Sequence, residues 1–172
     1  KRVEYRIRGR NIPVHCVFNG GDQRYFDLPS YSGDYILFLG RADVHMKGLD
    51  LLVAAFSKIS ESYPNLRLKI AGRAEKTQTT LLHKLVSTSG VEGCIDVLGA
   101  VGEEQKDALL ANARFTCMPS RYEGWGIAAV EAQASGKAVL ATQISGLQDA
   151  VRHGETGHLV APDNVSALAD GM

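Results

Sequence analysis

Short apolar runs rich in β-branched or aromatic residues recur along this chain, and most neighbouring runs are separated by enough residues for a helix. They are VHCVF (14–18), YILFL (35–39), LRLKIA (66–71), CIDVL (94–98), RFTCM (114–118), AVLAT (138–142) and GHLV (157–160). The clearest helical pattern between them is GLDLLVAAFSKISESY, 48–63. There Leu51, Leu52, Ala55, Phe56 and Ile59 share one face, Lys58 and Glu61 lie off it, and Pro64 closes the segment. EEQKDALLANA, 103–113, opens with two acids, as suits the positive end of a helix dipole. A small-residue helix is expected over Ile127 to Ser135, and a last one from the N-cap pair Asp163 and Asn164. Strands alternating with helices of this length make βαβ units. The expected fold is α/β, a Rossmann-like doubly wound parallel sheet covered on both faces. Ligands of such sheets bind at the carboxyl ends of the strands, so the informative residues should follow strands.

The 172 residues are 45% hydrophobic, which suits one domain with its own core, spanning 1–172. Lys+Arg and Asp+Glu are equal at 19 each, and a net charge of zero argues against general nucleic-acid binding. No apolar run approaches the ~18 residues of a membrane span, and no signal-peptide pattern opens the chain. The three cysteines, Cys16, Cys94 and Cys117, form no C-x-x-C and sit in apolar runs. They read as buried free thiols in a reducing compartment. The histidines are scattered without H-E-x-x-H, so no metal site is expected. The basic opening KRVEYRIRGRNIP reads as a solvated helix end with Val3 and Ile7 inward.

Five post-strand loops stand out. GRADVHMKG, 40–48, puts Gly40 at a tight turn and Arg41 and Lys47 beside a helix start, the logic of a phosphate site. It does not match the P-loop spacing, and two surface cations would look the same. Gly72-Arg73 and LGAVGEE (98–104) offer backbone that could approach a flat ring, or are ordinary βα turns. ISGLQDAV places Gly146 at another helix start. PSRYEGWGIAAVE, 119–131, is the richest. Gly124 and Gly126 leave N–H groups uncovered at the head of a helix, while Glu123 and Glu131 put acids at both ends of what otherwise looks like an anion site. Trp125, the only tryptophan, reads equally well as a core plug or a pocket wall.

Together these segments resemble the C-terminal, nucleotide-sugar-binding domain of a retaining glycosyltransferase of the GT-B fold, in the large family-four group. IPVHCVFNGGDQRYF resembles its first strand and Asn-Gly-x-Asp turn, and YILFLGRADVHMKGLDLLVAAF its Gly-Arg…Lys-Gly phosphate segment. SRYEGWGIAAVEAQASGKAVLAT resembles its two-glutamate motif, and GETGHLVAPDNVSALA its terminal segment. The resemblance implies that Arg41 and Lys47, after Gly40, hold the donor diphosphate. Glu123 would meet hydroxyls of the transferred sugar. Gly124, Trp125 and Gly126, between Ser120 and Ile127, would place N–H groups near sugar and phosphate. Glu131 would bind the ribose. Gly72, Arg73 and Val101 would lie at the base. Arg41, Lys47 and Glu123 would be the residues that act on the reacting centre. The chain departs from the pattern at Trp125, where Phe is commoner, at Gln148 and Asp149, which replace Pro and Glu, and at Gly21.

The implied activity is hexosyl transfer from a nucleoside diphosphate sugar, UDP- or GDP-hexose before ADP-hexose, in building a polysaccharide, glycolipid or glycoconjugate. No D-x-D pair occurs, so no metal or other cofactor is expected. The acceptor, a sugar or a lipid-linked sugar, would bind an N-terminal domain that this chain lacks, leaving the fragment a donor binder with little transfer of its own. A cytoplasmic location follows, with peripheral contact at the inner membrane face through that missing domain. A non-catalytic nucleotide-binding module and an epimerase-like domain are the rival readings. Physically, a carboxylate about 7 Å from a phosphate charge costs roughly 2 kcal/mol at an effective dielectric near 20. Both acids therefore need hydroxyl partners. The helical rise from residue 126 to 131, about 7.5 Å, is enough to separate the two.

Overall fold

The computed structural model describes residues 19–172 together with Pro13, His15 and Val17. The expectations for the basic opening segment up to residue 12 and for Cys16 lie outside the described residues; of the strand expected at 14–18 only His15 and Val17 are described, and neither is in a strand. The remaining six apolar runs form one parallel sheet. Its strands are β1 (Tyr35–Leu39), β2 (Arg67–Ala71), β3 (Ile95–Gly99), β4 (Phe115–Met118), β5 (Val139–Thr142) and β6 (Gly157–Val160). The order is β3-β2-β1-β4-β5-β6, so the winding reverses between β1 and β4. That reversal leaves a crevice beyond the carboxyl ends of these two strands. The doubly wound expectation is met.

Sequence explains the layering. All five residues of YILFL are buried, the mark of a strand covered on both faces. Ile36 and Phe38 point to the side covered by α1 (Leu49–Ile59), α2 (Lys76–Ser87) and α6 (Val165–Asp170), joining Leu52, Phe56, Leu82 and Leu168. Tyr35, Leu37 and Leu39 point to the side covered by α3 (Glu103–Asn112) and α4 (Ile127–Ala134), joining Leu110, Ala129 and Ala132. A short α5 (Ser145–Gln148) adds Leu147 to that face. Each fully buried Ile, Leu or Phe stabilises by roughly 1.5–3 kcal/mol relative to exposure. The alanines of α4 let that helix lie close to the sheet. A short 3-10 helix, Gln23–Asp27, packs on α4 and is capped by the Asp22 side chain, which accepts from the Arg24 N–H at 3.0 Å. Cys117 is fully buried in β4, and burial pushes its thiol far above the usual range; Cys94 is half-buried, less than the sequence suggested.

Candidate functional site

The loop after β1 is shaped by Asp43. Its carboxylate accepts the Met46 N–H (2.8 Å) and its carbonyl accepts the Lys47 N–H (3.0 Å), which winds the chain back so that Lys47 stands at the head of α1. Gln78 of α2 anchors the loop from outside, accepting the Val44 N–H at 2.9 Å. Gly48 caps α1 in the left-handed region, φ 65°, and a Cβ there would stand 2.0 Å from the Pro119 carbonyl oxygen. Only glycine allows both the angle and the approach, so the loops after β1 and β4 touch.

Arg121 fastens them further. Its N–H donates to the Met46 carbonyl (3.0 Å) and its Nη1 to the His45 carbonyl (2.8 Å). The guanidinium grips Asp50 of α1 with two bonds of 2.8 Å and reaches Asp163 at 2.6 Å. The hydrogen bond to Asp50 is the main cause that raises the Arg121 pKa. Burial pushes the Asp50 carboxyl up, but bonding to Arg121 outweighs it and holds the group below its ordinary value. The β4 loop is also supported from below. A Cβ built on Gly146, in α5, would stand 2.3 Å from the Glu123 carbonyl oxygen.

Between the two loops lies a cleft of about 420 Å³. Gly40, Arg41, Lys47 and Ser120 line it, as do Glu123, Trp125, Gly126 and Ile127. Phe38, Leu39, Met118 and Ala128 complete the wall. Lys47 Nζ donates to Glu123 Oε2 at 2.5 Å, and Glu123 Oε1 accepts the Gly124 N–H at 3.1 Å. The Gly124 amide, expected free, is therefore taken by its neighbour. Arg41 is exposed, and its side chain makes no ion pair or hydrogen bond among the described residues. Gly126 caps α4 at φ 69° without any side-chain cap, so the N–H groups of Ile127 and Ala128 have no acceptor among the described residues. Two cations and a bare helix start thus converge on one space, a ready anion site. Trp125 settles as a pocket wall, with its indole N–H donated to the Asn19 carbonyl at 3.2 Å.

Glu131 lies one turn beyond Ile127 on the same helix. Its Oε1 accepts from Lys106 Nζ (2.9 Å) of α3 and from the Tyr25 hydroxyl (3.1 Å). Gly72 and Arg73 line a separate hollow of about 260 Å³ with Leu98 and Gly99, at the carboxyl ends of β2 and β3. Val101 lines neither space and packs half-buried against the core. Another hollow of about 340 Å³ lies around Asp34, Tyr63 and Arg114, at the amino ends of β1 and β4, the wrong end of such a sheet for its ligand. Among the described residues, no group of three or more His, Cys, Asp or Glu side chains converges as for a metal, and no helix is long and apolar enough to cross a membrane.

The residues missed by sequence reasoning are Tyr25, Lys106 and the clamp of Arg121. Arg121 was visible beside Glu123, but its partners at 50 and 163 were not. The order 3-2-1-4-5-6 with a cleft lined by two cations at the reversal defines a Rossmann-like doubly wound α/β domain. Comparison with known proteins goes further: residues 24–172 match the family model described as glycosyl transferases group 1, and the chain belongs to that family. A phosphatidyl-myo-inositol mannosyltransferase of Mycobacterium leprae is 34% identical over 141 residues, covering 81% of this chain and 36% of that protein. The MMP alpha-(1->4)-mannosyltransferase of Mycolicibacterium hassiacum is 32% identical over 157 residues, covering 90% of this chain and 38% of that protein. The chain thus spans little more than a third of the length of these relatives. The fold matches Anabaena Alr3699/HepE, solved in complex with UDP and glucose, with a TM-score of 0.81 at 22% identity, covering 96% of this chain and 48% of that one.

Proposed function

We propose that the cleft binds a nucleoside diphosphate sugar and that this domain is the donor half of a retaining hexosyltransferase that builds a polysaccharide, glycolipid or glycoconjugate. The observation that carries this reading is the meeting of Arg41, Lys47 and the uncapped start of α4 with a carboxylate, Glu123, at the reversal of the sheet. The diphosphate lies across the cations and the free N–H groups. Glu123 takes hydroxyls of the sugar, Glu131 those of the ribose, and Gly72 and Arg73 flank the base. Binding exchanges partners: Lys47 leaves Glu123 for the diphosphate, which frees the acid for the sugar.

Transfer breaks the bond from the anomeric carbon to the diphosphate oxygen, forms one to an acceptor hydroxyl, and releases that hydroxyl's proton. Negative charge grows on the departing diphosphate. Arg41, Lys47 and the helix start stabilise it in place of a metal, with about 1.5–3 kcal/mol for each charge-assisted hydrogen bond. The share that strengthens in the transition state is what accelerates the reaction. The acceptor, a sugar or lipid-linked sugar, binds through a further domain, as the greater length of the relatives supports. The reaction takes place in the cytoplasm, with peripheral contact at the inner membrane face made by that further domain. The relatives named mannosyltransferases and the neighbour bound to UDP and glucose support a UDP- or GDP-hexose rather than an ADP-hexose. A thermal-shift panel of UDP, GDP, ADP and their hexose derivatives tests this. Stabilisation by a uridine or guanosine member is expected, and no shift with any member would remove the reading.

A further inference from the structure

The carboxylate of Glu131 is unevenly used. Both of its partners, Lys106 Nζ at 2.9 Å and the Tyr25 hydroxyl at 3.1 Å, meet the same oxygen, Oε1. The other oxygen, Oε2, accepts no hydrogen bond among the described residues. The direction of the tyrosine bond is fixed chemically. Arg24 Nη2 donates to the Tyr25 oxygen at 2.8 Å, and a guanidinium has donors only, so the single phenolic hydrogen is left for Glu131. Arg24 is itself held by Glu103 and faces Asp107 at 3.7 Å, both on α3. Tyr25 is 2% exposed and cannot swing away. Lys106 stands 5.1 Å from the Tyr25 ring centre and donates to the same carboxylate oxygen. Burial pulls the Lys106 pKa down, but the contacts with Tyr25 and Glu131 outweigh that and raise it.

A carboxylate whose one oxygen is saturated by two fixed donors can neither rotate nor turn inward. Its second oxygen is presented at a set angle, and the lysine cancels the charge that would otherwise repel a diphosphate nearby. A surface acid needs none of this. Resting on the reading that the cleft takes a nucleoside diphosphate, we propose that Tyr25 and Lys106 are positioning residues that hold Glu131 by Oε1 so that Oε2 receives the hydroxyls of the ligand's ribose.

The test is calorimetry with UDP and GDP, each beside its 2′,3′-dideoxy form, on the whole chain and on Tyr25→Phe, Lys106→Gln, Lys106→Arg and Glu131→Gln. All three substitutions other than Lys106→Arg should weaken the ribonucleotide about three- to tenfold. The dideoxy form should change by less than about twofold, and Lys106→Arg should recover most of the loss. If Glu131→Gln discriminates between the two forms while Tyr25→Phe and Lys106→Gln do not, or lower both forms equally, the positioning role is overturned and the ribose contact stands. If Glu131→Gln itself does not discriminate, the ribose contact falls, and the proposal with it. Thermal melting of each variant separates these losses from misfolding, and the isosteric Tyr25→Phe keeps the ring packed.

Discussion

The site contains two lysine–glutamate pairs that look alike in composition and burial. The side chains of Lys47 and Glu123 are 15% and 23% exposed, those of Lys106 and Glu131 18% and 16%. Their surroundings differ. Lys47 and Glu123 sit on two loops, and neither side chain has another side-chain partner among the described residues. Lys106 and Glu131 sit on two helices and belong to a chain that runs through Tyr25 and Arg24 to Glu103. The first pair can part for a ligand at the cost of one contact. Withdrawing Glu131 from the second would strip a buried tyrosine of its acceptor. The same two residue types therefore serve as an exchangeable contact in one place and as a fixed mount in the other.

Four substitutions or conditions probe that contrast. Lys47→Ala should weaken UDP or GDP binding about tenfold or more, ribose and dideoxy forms alike, since a charge-assisted bond to the diphosphate is lost. Calorimetry reads it, and an unchanged affinity would detach Lys47 from the diphosphate. Arg121→Ala removes the clamp between the loops that carry the exchangeable pair. Its bonds to Asp50 and the His45 carbonyl matter more than the one to exposed Asp163. Urea unfolding should show a loss of about 1–2 kcal/mol, with the Lys106–Glu131 half of the site untouched. Glu123→Gln should act with the opposite sign on free nucleoside diphosphate, tightening it about twofold because Lys47 no longer has a competing anion. Nucleotide sugar should show no such gain, having lost its hydroxyl acceptor. Least of all, Asp50 titrates below its ordinary value of 3.8. Its contribution to stability is complete above that pH and fades as pH falls through the lower folded value. Acid unfolding of Arg121→Ala should lack this component.

Much of the fold was legible. YILFL and GHLV match β1 and β6 residue for residue; in β1, covered on both faces, the apolar run is uninterrupted, while β6 is an edge strand that leaves His158 exposed. α2 went unnamed, since Leu82 and Val86 are the only residues it buries fully among threonines and charges. In the site, Arg41, Lys47, Glu123 and Trp125 were readable because they follow strands, and strand ends converge in this topology. Val101 follows a strand as well, yet its side chain turns to the core. Loop spacing states proximity without orientation. Tyr25 and Lys106 left no local signal at all: they stand 106 and 25 residues from Glu131, and only the packing of the 3-10 helix and α3 against α4 brings them to it.

The contact beneath Glu123 sets a limit for anyone who would redesign this cleft. With Gly146 pressed against its carbonyl, the floor of the pocket has no adjustable thickness, and even a methyl group added there must displace the acid. A library that randomises residue 146 would thus discard binders before it found new preferences, whereas the exposed neighbours Gln148 and Asp149 could vary at little cost. Room for a bulkier ligand has to be cut from the facing wall, at Ile127 or Trp125, where side chains rather than backbone define the space.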